Sequence, residues 1–175
     1  MRSKDIAIVG ILLAVGAILR YFLAMLHTPL TPNMIIAFYC LAIILIQPKV
    51  FEALGIGIVA GILSMLISSS MFPPANLISE PLGALVCFGL YALLKSRTKL
   101  APTVTTFVST LVSGFSFAAI ALLFVGATIL PKYGGNIGNF MIVFVPIVIV
   151  TAIFNAIVVQ ILYIPTSRVL VRGQE

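Results

Sequence analysis

The chain has 175 residues, of which 62% are hydrophobic and only 8% charged, and its ten basic and four acidic side chains give a formal charge of +6. A soluble domain carries about a quarter charged residues to cover its wetted surface, and a mean hydropathy of +1.27 makes lipid the solvent for most of this chain. Composition therefore excludes a cytosolic enzyme, a secreted disulfide scaffold and a nucleic-acid-binding domain; tryptophan is absent altogether.

Six apolar segments follow one another at 5–26, 34–47, 50–70, 81–95, 102–130 and 139–164. A helix needs about 20 residues to cross roughly 30 Å of hydrocarbon. Arg2 and Lys4 precede the first segment, which lacks an A-x-A cleavage pattern and is read as a retained span. Ala7, Gly10, Ala14 and Ala17 place small residues on one stripe of it, which suits close approach of another helix, within the bundle or from a partner. Arg20 lies about 21 Å along the same helix from Ile6 at ~1.5 Å per residue. It either snorkels to the headgroups or faces the bundle, where a guanidinium can grip a carboxylate with two prongs.

The second segment is short, rising only about 21 Å. In the third, Ala53, Gly57 and Gly61 recur at i, i+4, the spacing of internal packing. The fourth is expected to open at Pro81, so Glu80 either caps it or meets a substrate ammonium group. The last contains Pro146, expected to kink or restart the helix, then Asn155, whose buried amide needs partners, and Gln160, given a structural role. Pro29, Pro32, Pro48, Pro73, Pro74, Pro81, Pro102, Pro131 and Pro165 punctuate the borders. Cys40 and Cys87 stand alone in apolar stretches and read as small buried hydrophobes.

Charge placement sets the expected topology. With six crossings and the N-terminus inside, Arg2, Lys4, Lys49, Lys95, Arg97, Lys99, Arg168 and Arg172 are cytoplasmic and Lys132 alone is outside. Omitting the short second crossing would move the Lys95–Lys99 cluster and both C-terminal arginines outside, inverting the positive-inside rule. The sequence thus predicts one all-α membrane domain over residues 1–175, a compact bundle of six transmembrane helices with both termini cytoplasmic. No internal repeat or soluble appendage is evident.

The chemistry is that of binding. Asp5, Glu52, Glu80 and Glu175 all sit at expected segment ends, leaving a carboxylate proton relay no seat at mid-membrane. No P-loop is present, and His27, the single histidine, has no metal-ligand cluster or nucleophile–base spacing around it. The expected outer loops, 27–33, 68–80 and 132–139, are nearly uncharged and rich in Pro or Gly, which suits ordered caps over a pocket. Lys132 and Tyr133 belong to the third. A substrate-binding subunit, a stand-alone carrier and a membrane-embedded enzyme are the classes in contention. The missing intramembrane acid and repeats weigh against the second, and the missing nucleophile or metal constellation against the third.

Short motifs in order carry a family likeness: Pro32-Asn33-Met34, Gln47-Pro48-Lys49-Val50, the 55–62 stretch from Gly55 to Ile62, Asn76-Leu77-Ile78 with Pro81, and Asn155 followed by Tyr163 and Pro165. With six short spans and an alanine-rich first helix, the chain resembles the substrate-binding S components of energy-coupling-factor (ECF) transporters, most closely the tryptophan-specific ones. The resemblance implies a pocket near the outer face with Asn33, Asn76 and Asn155 at matching positions. Arg20, Glu80, Lys132 and Tyr133 join these on physical grounds, and Tyr133, Phe72 and Phe140 are the candidates for an indole slot. It also implies partners: a transmembrane coupling subunit facing the Ala7, Gly10, Ala14, Ala17 stripe, and two cytoplasmic ATPase subunits that use the ATP, with no cofactor or metal in this chain. Glu80 departs from the basic residue the family permits before the helix-four proline. The absence of tryptophan gains a meaning in this light, because an importer needed in tryptophan shortage benefits from containing none.

Overall fold

In the computed structural model, which describes residues 1–25 and 33–172, the chain folds into α1 (Ser3–Met25), α2 (Met34–Ile46), α3 (Val50–Ile67), α4 (Asn76–Leu94), α5 (Ala101–Ile129) and α6 (Ile137–Arg172). Short 3-10 turns at Pro73–Ala75 and Leu130–Tyr133 lead into α4 and out of α5. The expected outer loop from His27 to Pro32, the terminal Glu175 and the side chains of Arg168 and Arg172 lie outside the described residues. Five helices are long and apolar enough to cross a membrane, and the 13-residue α2 is apolar but shorter. The described part of the chain is an all-helical bundle.

α2 is the hub. Met34 through Ile44 are all buried, and the helix packs against each of the other five. A helix that is hydrophobic all round belongs in an interior, and here the neighbours supply that interior. The outer helices turn large apolar side chains outward, with Phe51 82%, Leu123 79% and Ile142 72% exposed. A bilayer covers such a surface, since lipid tails accept apolar groups and the backbone hydrogen bonds are closed within each helix.

α3 and α4 form the closest pair. Ala53, Gly57 and Gly61 are buried along their contact. A Cβ on Gly57 would come within 2.7 Å of the Pro81 Cα, and one on Gly61 within 2.8 Å of the Asn76 carbonyl oxygen. The i, i+4 stripe is therefore internal packing. The stripe on α1 lies differently: Ala7, Gly10 and Ala14 are exposed, whereas Ala17 turns into the core.

Two helix borders differ from the sequence expectation. α4 opens at Asn76, so Pro81 sits inside it. The Pro73-Pro74 turn leads into that helix, and the Asn76 side-chain amide donates to the Pro73 carbonyl (2.8 Å). α6 runs unbroken through Pro146 and Pro165 to Arg172; the first does not restart it and the second does not end it, as membrane helices tolerate proline where neighbours and hydroxyls satisfy the freed carbonyls.

The two ends of the bundle differ in chemistry. At one end the Met1 amino group meets Glu52, whose other oxygen accepts from the Lys49 backbone N–H (2.7 Å), closing the first turn of α3. Lys95 reaches Gln47, the left-handed C-cap of α2 (φ 49°), and Tyr91 faces Tyr163 (3.5 Å between hydroxyls). Gln160 accepts from Thr103 (2.5 Å), a structural pairing. Cys40 and Cys87 are free, fully buried thiols. At the other end α5 departs from helical geometry at Val125 (φ −131°, ψ 20°), and Gly134 and Gly135 (φ 68° and 72°) turn the chain back into α6.

Candidate substrate cavity

At the end opposite the Lys95–Lys99 turn, a cavity of about 390 Å³ opens among the helices. Its volume falls within the roughly 300–1,000 Å³ of small-molecule sites. All six helices contribute: Arg20 from α1, Asn33 and Ile36 from the start of α2, Ile67 from α3, Asn76, Ser79 and Glu80 from α4, Thr110, Ser113 and Phe117 from α5, and Val143, Phe144 and Thr151 from α6. Ser68, Ser69, Ser70 and Met71 from the α3–α4 connection and Tyr133 from the α5–α6 turn complete the rim.

One wall is polar and internally connected. Arg20 Nη1 donates to Asn33 Oδ1 (2.9 Å), Asn33 Nδ2 donates to Glu80 Oε1 (2.5 Å), and Ser113 Oγ donates to Glu80 Oε2 (3.1 Å). Glu80 is 1% exposed. A carboxylate taken this far out of water needs counter-charge and donors on every side, and the wall supplies an amide, a hydroxyl and a guanidinium one residue away. Arg20 thus faces the bundle, and the snorkelling alternative is set aside. Glu80 does not cap α4 and does not lie at a segment end. Because α4 begins at Asn76, with Ala75 at the N-cap position, Glu80 is the fifth residue of the helix and lies on its buried side. The expectation that Glu80 lies at a segment end, just before a helix opening at Pro81, is corrected accordingly.

Asn155 lies behind this wall. It is fully buried, and its Nδ2 donates to the Asn33 carbonyl oxygen (3.1 Å) and to Thr110 Oγ1 (3.4 Å). It does not line the cavity but fixes the main chain of a residue that does.

A second part of the lining is aromatic. Phe144 stacks on Phe140 (centroids 5.2 Å, 17°), and Phe140 meets Tyr133 edge-on (5.3 Å, 85°). Phe140, 1% exposed, stands behind the lining, while Tyr133, Phe144 and Phe117 form it. Phe72 stacks on Phe124 (5.9 Å, 18°) at the edge of the same cluster. Such faces accept a flat ring at favourable offset or edge-on geometry.

Of the residues singled out from sequence, Arg20, Asn33, Asn76, Glu80 and Tyr133 come together at the cavity, Asn155 supports it, and Lys132 is exposed and does not line it. Sequence reasoning missed Ser113, Thr110, Phe117 and Phe144. Part of the signal lay on α5, where Thr106, Thr110, Ser113 and Phe117 recur at helical spacing, which marks a face without singling out a residue on it.

Comparison with known proteins then identifies the chain's relatives. Residues 2–171 match the family described as Tryptophan transporter TrpP. A "Probable tryptophan transport protein" of Bacillus subtilis (strain 168) is 34% identical over 177 residues, covering 99% of this chain and 96% of that protein. The chain belongs to the TrpP family. No solved structure matches it. TrpP proteins and the Bacillus relative are transporters rather than enzymes. With several long apolar helices, this TrpP family member is a multi-pass protein of the bacterial plasma membrane.

Proposed function

We propose that the chain is the S component of an ATP-driven ECF-type importer and that it binds tryptophan from the outer side in the cavity described above. The carrying observation is the pairing of walls: a polar one built on Arg20, Asn33 and Glu80, and an aromatic one built on Tyr133, Phe117 and Phe144. Tryptophan needs both, having a doubly charged head group and a flat apolar indole. Asn76 and the serines of the α3–α4 connection line the cavity, Lys132 is an exposed cation outside the lining, and Asn155 is a positioning residue.

In this reading the bundle crosses the bilayer six times with both termini cytoplasmic, so the cavity opens outward and the Lys95–Lys99 turn faces the cell interior. The exposed Ala7, Gly10 and Ala14 on α1, continued inward by Ala17, offer the transmembrane coupling subunit a surface that a helix can approach closely. Two cytoplasmic ATPase subunits bound through that subunit supply the energy.

Equilibrium binding to the detergent-purified chain tests the substrate, with tryptophan, the other aromatic amino acids and water-soluble vitamins compared. Saturable binding of tryptophan is expected, and a vitamin binding in its place overturns the assignment. Uptake into proteoliposomes is expected only with the coupling and ATPase subunits present. Uptake by the chain alone makes it a secondary carrier instead.

A further inference from the structure

The side chain of Asn33 lies between two opposite charges. Arg20 has only donors, so the Asn33 atom facing it at 2.9 Å is the carboxamide oxygen. Glu80, as a carboxylate, has only acceptors, so the atom facing it at 2.5 Å is the carboxamide nitrogen. The chemistry of the neighbours thus fixes the direction of the amide. Glu80 and Arg20 do not pair directly, for the ion pairs among the described residues are Met1–Glu52 and Arg2–Asp5. One amide's width separates them.

An amide held this way presents an acceptor to the guanidinium and a donor to the carboxylate. The head group of an α-amino acid presents the same two functions in the same order, with a full charge on each. We infer that Asn33 is a built-in stand-in for the amino-acid head group: it spans Arg20 and Glu80, and a zwitterionic ligand takes its place, carboxylate on Arg20 and ammonium on Glu80. The inference rests on the proposed reading of the cavity as the tryptophan site.

Two further features fit the exchange. Asn33 occupies the N-cap position of α2 yet makes no side-chain cap bond, so its amide is not committed to the helix end. Its main chain is held independently by Asn155 at 3.1 Å, so the side chain can turn away without moving the backbone. The Asn33 bonds carry charge on one partner only, whereas those of a zwitterion carry it on both and add Coulomb attraction, which lets the ligand displace the stand-in. A ligand with a single charge satisfies one pole and leaves the other without a ligand counter-charge in a largely buried wall. The site therefore selects for zwitterions, beyond selecting for an indole.

The test compares tryptophan with tryptamine, which lacks the carboxylate, and indole-3-propionate, which lacks the ammonium, by equilibrium binding to the purified full chain. Wild type is expected to prefer tryptophan by at least a hundredfold over each. Glu80→Gln should abolish the preference over indole-3-propionate, and Arg20→Met the preference over tryptamine. Asn33→Asp, which fills the acid half of the stand-in permanently, should shift selectivity towards tryptamine. Wild-type affinities for the analogues within threefold of that for tryptophan overturn the inference, and so does an Asn33→Asp chain that weakens all three ligands equally. The wild-type panel decides the zwitterion requirement even where a variant fails to fold. Absence of all indole binding, with a vitamin bound instead, also overturns the tryptophan reading beneath it, whereas equal binding of the three indoles leaves that reading standing.

Discussion

In the proposed site, Asn155 acts from behind the lining. Its amide holds the Asn33 carbonyl and the Thr110 hydroxyl, and leaving a buried group unsatisfied costs about 1–3 kcal/mol. At ~1.4 kcal/mol per decade of affinity, Asn155→Ala is expected to weaken tryptophan binding by roughly fivefold to a hundredfold while the chain stays monodisperse. Wild-type affinity in a folded variant would exclude this role. Asn155 was legible in the sequence because an amide is conspicuous in an apolar run. Ser113 was not, because hydroxyls in membrane helices commonly bond to their own backbone. Ser109, Thr110 and Thr151 do so, each to the carbonyl four residues back, while Ser113 turns to Glu80 instead. Nothing in the sequence separates that serine from its neighbours; only the position of α4 does.

At the scale of elements, hydropathy located every helix and misjudged borders where proline was read as punctuation. The start of α4 mattered most, because a border at Pro81 makes Glu80 a cap whereas a start at Asn76 makes it a buried wall residue. The small stripes illustrate a related limit. Ala53, Gly57 and Gly61 face a neighbour and Ala7, Gly10 and Ala14 do not, yet both sets read as stripes of small residues on one helix face. Gly57→Val should force the α3 and α4 backbones apart, given 2.7 Å to the Pro81 Cα, and overpacking of this kind costs about 1–3 kcal/mol or more. A fall in the thermal unfolding midpoint in detergent is expected. Gly55→Ala, with nothing within 4 Å of the new Cβ, should leave the midpoint level or raise it slightly through helix propensity. Equal midpoints for the two variants would contradict the packing.

Across the whole molecule, charge and cavity sit at opposite ends, with Lys95, Arg97 and Lys99 on one turn and the Arg20–Asn33–Glu80 wall far from it along the helices. The proposed orientation is open to labelling with a membrane-impermeant maleimide, since Cys40 and Cys87 are fully buried and contribute little background. Ser96→Cys should react only after the membrane is permeabilised, and Asn136→Cys should react on intact cells. The reverse pattern would invert the bundle. On the partner surface, Gly10→Leu should leave tryptophan affinity unchanged and abolish co-purification with the coupling subunit; retention of the complex would remove α1 as the contact.

The burial of α2 also constrains how the protein is made. It is flanked in space by α4, α5 and α6, all of which lie later in the sequence. During synthesis α2 therefore leaves the ribosome before most of its final surroundings exist, and lipid or the insertion machinery must shelter it meanwhile. Because it is also short, at about 20 Å for 13 residues, it is poorly matched to a bilayer on its own. Assembly of the proposed site, whose Asn33 stands at the head of α2, must then await the last hairpin, so a chain halted after α4 lacks the α5 and α6 part of the cavity lining.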